Sequence, residues 1–297
     1  MESVIKESSE LIKGKAGTVH TYAVPGVPRF KFLPKPTLFE AIKVRTGIVG
    51  MTLLNLGIFF GVWEIISRMD VLPKIFFPRP SNIAIELVKM AINGQLWFHA
   101  SYSFMNLTIG FLLSVAVGVP LGLAAGTFPR FNTIIAPYYW SLNSMPRLAI
   151  WPLLVLWGGF SIKVKVILIF ISAIMPILIN TIAGVATVDP SLMRVGRVLN
   201  ATRMQLYTKI VIPYTLPFIL TGLTQGMSRG LVALVVSEML GSGRGLGYVI
   251  VRSVEEFNPA KVFAMLFMLI FIAMIMVNGM DFVERRAAPW RKQKQMP

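Results

Sequence analysis

Ionisable residues are scarce in this chain, and their placement speaks of binding rather than of bond-breaking. Arg147, Arg229 and Glu238 fall within or at the edges of long apolar runs. A charge at mid-bilayer costs about 2.5–3.5 kcal/mol on insertion scales, so each should face protein or a wet cavity. Arg147 directly follows Pro146 and lies four residues after Asn143, in a segment interrupted by Pro137, Pro146 and Pro152. Backbone groups freed by such prolines can line a path across the membrane. Asn143, Pro146, Arg147, Arg229 and Glu238 are therefore candidates for a translocation path, with the arginines suited to an anionic solute. The alternative is an internal pair, for instance Arg229 with Glu238, and Glu238 taken alone reads better as structural.

A second polar group occupies the loop at 187–211. Asp189 stands at an N-cap position and Pro190 at the first helical position. Leu192, Val195 and Leu199 form an apolar stripe, while Arg194 and Arg197 point elsewhere. Asn200, followed by Ala201, suits a left-handed C-terminal cap. Thr202 and Gln205 have the spacing of a capping box that opens a second helix, running through Ile210 to Pro213. A short helix, a tight turn and a second helix joined to a membrane span make a lever. A basic helix lying in the lipid headgroup region is the other local reading.

Other chemistries find no residues. The 297-residue chain has no cysteine, and its two histidines, His20 and His99, are far apart, so no metal cluster is expected. No Ser, His and Asp neighbour one another, and no Gly-x-x-x-x-Gly-Lys-Ser/Thr occurs to cradle ATP. "GSGRGLG" follows an apolar helix without dinucleotide spacing and reads as a turn on the outer side. Glu255 and Glu256 read as solvated loop residues. The net charge of +16 is assigned to cytoplasmic Lys and Arg rather than to nucleic acid.

The elements that must hold these residues are helical. Charged residues make up 14% of the chain and hydrophobic ones 55%, against about 25% charged in soluble domains. The apolar runs predict six membrane helices, near 46–68, 100–126, 133–158, 164–186, 212–238 and 262–282, because only helices or closed barrels satisfy their backbone in lipid. A short helix is expected after Ser81. The chain divides into an N-terminal cytoplasmic arm (1–45), a six-helix domain (46–283) and a basic cytoplasmic tail (284–297). The arm starts polar, so no cleaved signal peptide is expected. Lys and Arg gather in the arm, the 187–211 loop and the tail, which puts both termini on the cytoplasmic side. Gly118, Gly122 and Gly126, like Gly222, Gly226 and Gly230, recur every four residues and predict close helix packing.

The 187–211 loop resembles the signature loop of permease subunits in ATP-binding cassette importers: Glu-Ala-Ala, three residues, Gly, nine residues, Ile-x-x-Pro. Arg194, Val195 and Gly196 occupy the Glu-Ala-Ala positions, Asn200 the Gly, Ile210 the Ile and Pro213 the Pro. The opening Glu and the Gly are replaced. "LNSMPRLAIWPLLVLWGG", "PILINTIAGVATVDPSL" and "VVSEMLGSGRGLGYVI" are similar to permeases for nitrate, bicarbonate, taurine and aliphatic sulfonates. The resemblance implies an all-α, type I importer permease in a bacterial inner membrane. It implies a second permease copy, identical or not, two cytoplasmic ATPases that bind ATP and Mg, and a periplasmic binding protein. This chain itself would bind no cofactor. The rivals are a secondary transporter or channel independent of an ATPase, for which no convincing inverted repeat is visible, and a membrane scaffold.

Overall fold

A computed structural model gives the protein's structure, and residues 38–69 and 76–287 are described, with side chains from Gly50 onward except at 281, 283–285 and 287. Most of the expected N-terminal arm and basic tail lies outside the described residues. Two compact units divide at Ile58, and the described part of the first is one stretch of helix.

The helices follow in order: α1 (Leu38–Arg68), α2 (Pro80–Ile92), α3 (Gln95–Thr127), α4 (Pro129–Ser144), α5 (Trp151–Gly158), α6 (Ile162–Ala186), α7 (Pro190–Val198), α8 (Arg203–Leu206), α9 (Ile212–Met239), α10 (Leu246–Glu255) and α11 (Pro259–Ala287). Five stretches are long and apolar enough to cross a membrane: Gly50–Arg68, Gln95–Thr127, Ile162–Ala186, Arg203–Met239 and Pro259–Met280. The third expected span, 133–158, is not one helix. It is α4, a 3-10 turn over Arg147–Ile150, and α5. Met145, the residue before Pro146, is extended with ψ of 137°, the region that pre-proline sterics favour.

α6 is the central element, packed along both α3 and α9. Both glycine series face it. A Cβ at Gly118 would meet Ile177, one at Gly122 would meet Thr181 and one at Gly126 would meet Val185. From the other side Gly222 lies against Asn180 and Gly226 against the Ala173 carbonyl. Lipid gives no hydrophobic drive between helices, so small residues that let backbones approach are what make this contact favourable. A core of Leu107, Phe111, Leu168, Ile169, Ile177 and Leu234 fills the space where the three meet. A second cluster gathers Trp63, Ile83, Met90, Leu96, Val249, Ile250 and Met265, where the end of α1 meets α2, α3, α10 and α11.

Two local expectations need correction. α2 starts one residue before Ser81, with Pro80 in its first turn. Ser81 does not cap it. Instead Glu64 accepts from the Ser81 N–H at 3.0 Å and from its Oγ at 2.9 Å, placing a carboxylate at the positive end of the helix. The stretch before Glu255 and Glu256 is also no loop. It is α10, whose Leu246, Val249, Ile250 and Ser253 are buried at helical spacing.

Candidate functional site

The loop between α6 and α9 is built by short-range hydrogen bonds. Asp189 Oδ1 accepts from the Ser191 N–H at 2.7 Å, with Pro190 in the first turn of α7. The Ser191 hydroxyl and, after it, the Ser191 N–H hold the Asp189 carboxyl below its ordinary range. α7 ends in a Schellman motif: Ala201 N–H donates to the Gly196 carbonyl and Asn200 N–H to the Arg197 carbonyl, each at 3.0 Å. Asn200 carries the left-handed turn, with φ of 55°. Thr202 and Gln205 then close a reciprocal capping box at 2.8 and 3.2 Å. α8 continues through a π-helical turn, Tyr207–Val211, into α9. The wide turn precedes Pro213, which lacks the N–H that a regular turn would use.

Gly196 joins the two arms of this segment. It is buried, and a Cβ there would lie 2.4 Å from Leu206 Cδ2, with Ile210 next to it. Little else of α7 is covered. Leu192, Val195 and Leu199, with Val198, are exposed apolar residues, and Val198 is 81% exposed. Arg194 and Arg197 are exposed too. The apolar stripe thus stays largely exposed beside the Gly196 contact. A helix locked to α8 offers a free mixed surface of aliphatic and basic groups.

A second arrangement lies where the broken segment meets α6 and α9. Arg147 Nη2 donates to the Asn143 carbonyl at 3.2 Å and to its side-chain oxygen at 2.8 Å, and Nη1 donates to the Ser172 carbonyl at 3.4 Å. Ser172 has that carbonyl to offer because Pro176, four residues on, has no N–H to give it. Arg229, on α9, donates to the same Asn143 side-chain oxygen at 3.4 Å. Among the described residues neither arginine pairs with a carboxylate. Both line an open cleft of about 540 Å³, with Asn143, Pro146, Ser172 and Ser228 among its walls.

Glu238 does not join them. It is completely buried, accepting from Ser103 Oγ at 2.8 and 2.9 Å and from the Gly247 N–H at 2.9 Å. Ser103 in turn accepts from the Leu246 N–H at 2.9 Å. The carboxylate therefore satisfies the free N–H groups at the start of α10, and the internal pair with Arg229 is not formed. Neighbouring bonds fix the preceding loop. Gly245 N–H donates to His99 Nδ1 at 3.2 Å, and Lys165 Nζ to Ser242 Oγ and to Tyr102 Oη. Gly245, at φ of 108°, lies so close that a Cβ would fall 2.2 Å from the Glu238 carboxyl carbon. The "GSGRGLG" stretch is a clamped turn. Lys165, 1% exposed, escaped the sequence reading, although a lysine inside an apolar run was signal enough.

Comparison with known proteins agrees with this architecture. The family described as "Binding-protein-dependent transport system inner membrane component" matches residues 118–289. The aliphatic sulfonates transport permease protein SsuC of Bacillus subtilis is 31% identical over 87% of this chain and 95% of its own. The taurine transport system permease protein TauC of Escherichia coli is 28% identical over 83% of this chain and 92% of its own. A chain of the MetNI methionine ABC transporter, in an inward-facing structure, shares the fold with a TM-score of 0.54 at 15% identity, over 63% of this chain and 93% of that one. The chain belongs to the inner-membrane permease components of binding-protein-dependent ATP-binding cassette transport systems.

Proposed function

We propose that this permease subunit imports a small anionic solute of the nitrate, bicarbonate, taurine or sulfonate class. The names of its sulfonate and taurine relatives and the two arginines of the cleft, which pair with no carboxylate among the described residues, support that class. It works in the bacterial inner (plasma) membrane with both termini cytoplasmic, and pairs with a second permease copy. Two cytoplasmic ATPases hold the ATP and Mg, and a periplasmic protein delivers the solute. A transporter independent of an ATPase is not favoured by the family.

The observation that carries the coupling role is α7. It is capped at both ends, packed onto α8 at Gly196 and joined by a fixed turn to α8 and the α9 span, yet most of its surface is exposed. A partner that grips Leu192, Val195, Val198 and the two arginines moves a membrane helix with them. Closure of the ATPases on ATP would drive α7, and α9 would carry the motion to the cleft. Hydrolysis would reset it.

Reconstitution tests the reading. In proteoliposomes this subunit alone should neither hydrolyse ATP nor take up solute. With its ATPase and loaded binding protein, uptake should follow ATP hydrolysis. Gradient-driven uptake by the purified chain alone would contradict it.

A further inference from the structure

The exposed face of α9 departs from the rest of that helix. Gln225, Ser228 and Arg229 are all exposed, at spacing that puts them on one side. Asn180 on α6 extends the row by donating to Gln225 Oε1 at 3.2 Å. A polar row on a membrane helix must face water or protein, since lipid leaves its groups unpaired. At one end of the row stand the two guanidiniums, drawn to one amide oxygen. Like charges this close, with no carboxylate beside them among the described residues, leave an excess of positive charge at the cleft. Much of the remaining wall is apolar: Met145, Leu148, Val232 and Ala233.

Resting on the importer reading above, we propose that the Arg147–Asn143–Arg229 cleft is a selectivity site in the permease for a monoanionic oxyanion with a short aliphatic tail and no ammonium group, such as an alkanesulfonate. The two guanidiniums supply the missing counter-charge pairing, with planar donor forks that match an oxyanion head. The apolar wall takes the tail. A bare inorganic anion leaves that wall unfilled. A zwitterion is selected against, because its ammonium finds no carboxylate in the cleft and two arginines nearby. Asn143 is the positioning residue, since its one side-chain oxygen orients both cations.

The cysteine-free chain allows a direct test in the intact permease–ATPase complex in nanodiscs. Ser228→Cys places one thiol in the cleft wall. Its labelling rate is measured with sulfonatoethyl and with trimethylammonioethyl methanethiosulfonate, each normalised to the reagent's rate with a free thiol. The anionic reagent should be favoured about tenfold or more, as expected for a cleft of focused positive charge. Arg229→Gln should lower the preference several-fold, and adding Arg147→Gln should abolish it. Arg229 is exposed, so the single variant remains informative if the double variant does not insert. Propanesulfonate should protect the thiol at concentrations where taurine and nitrate do not. A normalised ratio near one, a ratio unchanged by Arg229→Gln, or equal protection by taurine would each overturn the proposal. A complex that still couples uptake to ATP but shows a flat ratio loses only this site. Failure of any ATPase to associate counts against the importer reading itself.

Discussion

Two glycine-to-alanine substitutions, chemically identical, should have opposite effects on the bundle. At Gly122 the added methyl would lie 2.6 Å from Thr181 Cβ and 3.0 Å from the Leu178 carbonyl oxygen. Relaxed carbon contacts are about 3.5–4.0 Å, and a carbonyl in the middle of α6 cannot swing away. α3 and α6 would have to part by roughly 1 Å. Overpacking of this kind costs about 1–3 kcal/mol, partly offset by the roughly 0.5–1 kcal/mol that alanine contributes over glycine inside a helix. A net loss of up to about 2.5 kcal/mol follows for Gly122→Ala. At Gly230 the nearest atom, Ile169 Cγ2, is 3.5 Å away and Ala173 Cβ 3.7 Å. There the methyl meets ordinary contacts, so Gly230→Ala should be neutral or stabilising by up to about 1 kcal/mol. The assay is reversible unfolding of the two variants and wild type by SDS titration in mixed micelles. Equal stabilities, or Gly230→Ala the worse of the two, would refute the packing argument.

The remaining predictions concern the clamp, the lever and the topology. Ser103→Ala removes a donor to Glu238 and the acceptor of the Leu246 N–H, and should destabilise by about 1–3 kcal/mol; a neutral result in the same titration would show that water replaces the hydroxyl. Replacing Arg194 and Arg197 together by Glu should weaken ATPase pull-down while membrane levels stay normal, whereas Val195→Pro, at about 3 kcal/mol in a helix interior, should abolish it; wild-type binding by the double variant would mean those arginines face lipid. Reporter fusions after Thr187 should signal cytoplasm and those after Asn258 the outside, and a cytoplasmic signal at Asn258 would contradict the proposed orientation.

What could be read from the chain follows the range of the forces involved. The 187–211 segment was legible down to the Asn200 turn and the Thr202–Gln205 box, because its hydrogen bonds join residues close in sequence. Apolar length located the long spans for the same reason. The partners of Glu238 were not legible: Ser103 lies 135 residues earlier, and nothing local to either residue announces the other. The prolines at 146 and 152 were visible, but treating 133–158 as one span underrated the backbone geometry that Pro146 favours at Met145. α10 was missed although Leu246, Val249, Ile250 and Ser253 follow a helical period, since the glycines before it read as loop. The sharing of Asn143 by two arginines 82 positions apart in number, Arg147 and Arg229, depends on how the broken segment packs on α6 and α9, which only the fold supplies.

The coupling claim is tested most directly at Val198, the most exposed apolar residue of α7. In the cysteine-free chain, Val198→Cys carries a single thiol for a short bifunctional cross-linker, and Trp157→Cys serves as a control on α5, at a residue 73% exposed. In native membranes the Val198→Cys variant should capture an ATP-binding subunit, at a yield that changes between nucleotide-free and ATP-bound conditions, while Trp157→Cys should capture none. ATP-dependent uptake with no ATPase captured at Val198, or equal capture at Trp157, would contradict the assignment of α7 as the surface through which hydrolysis reaches the membrane.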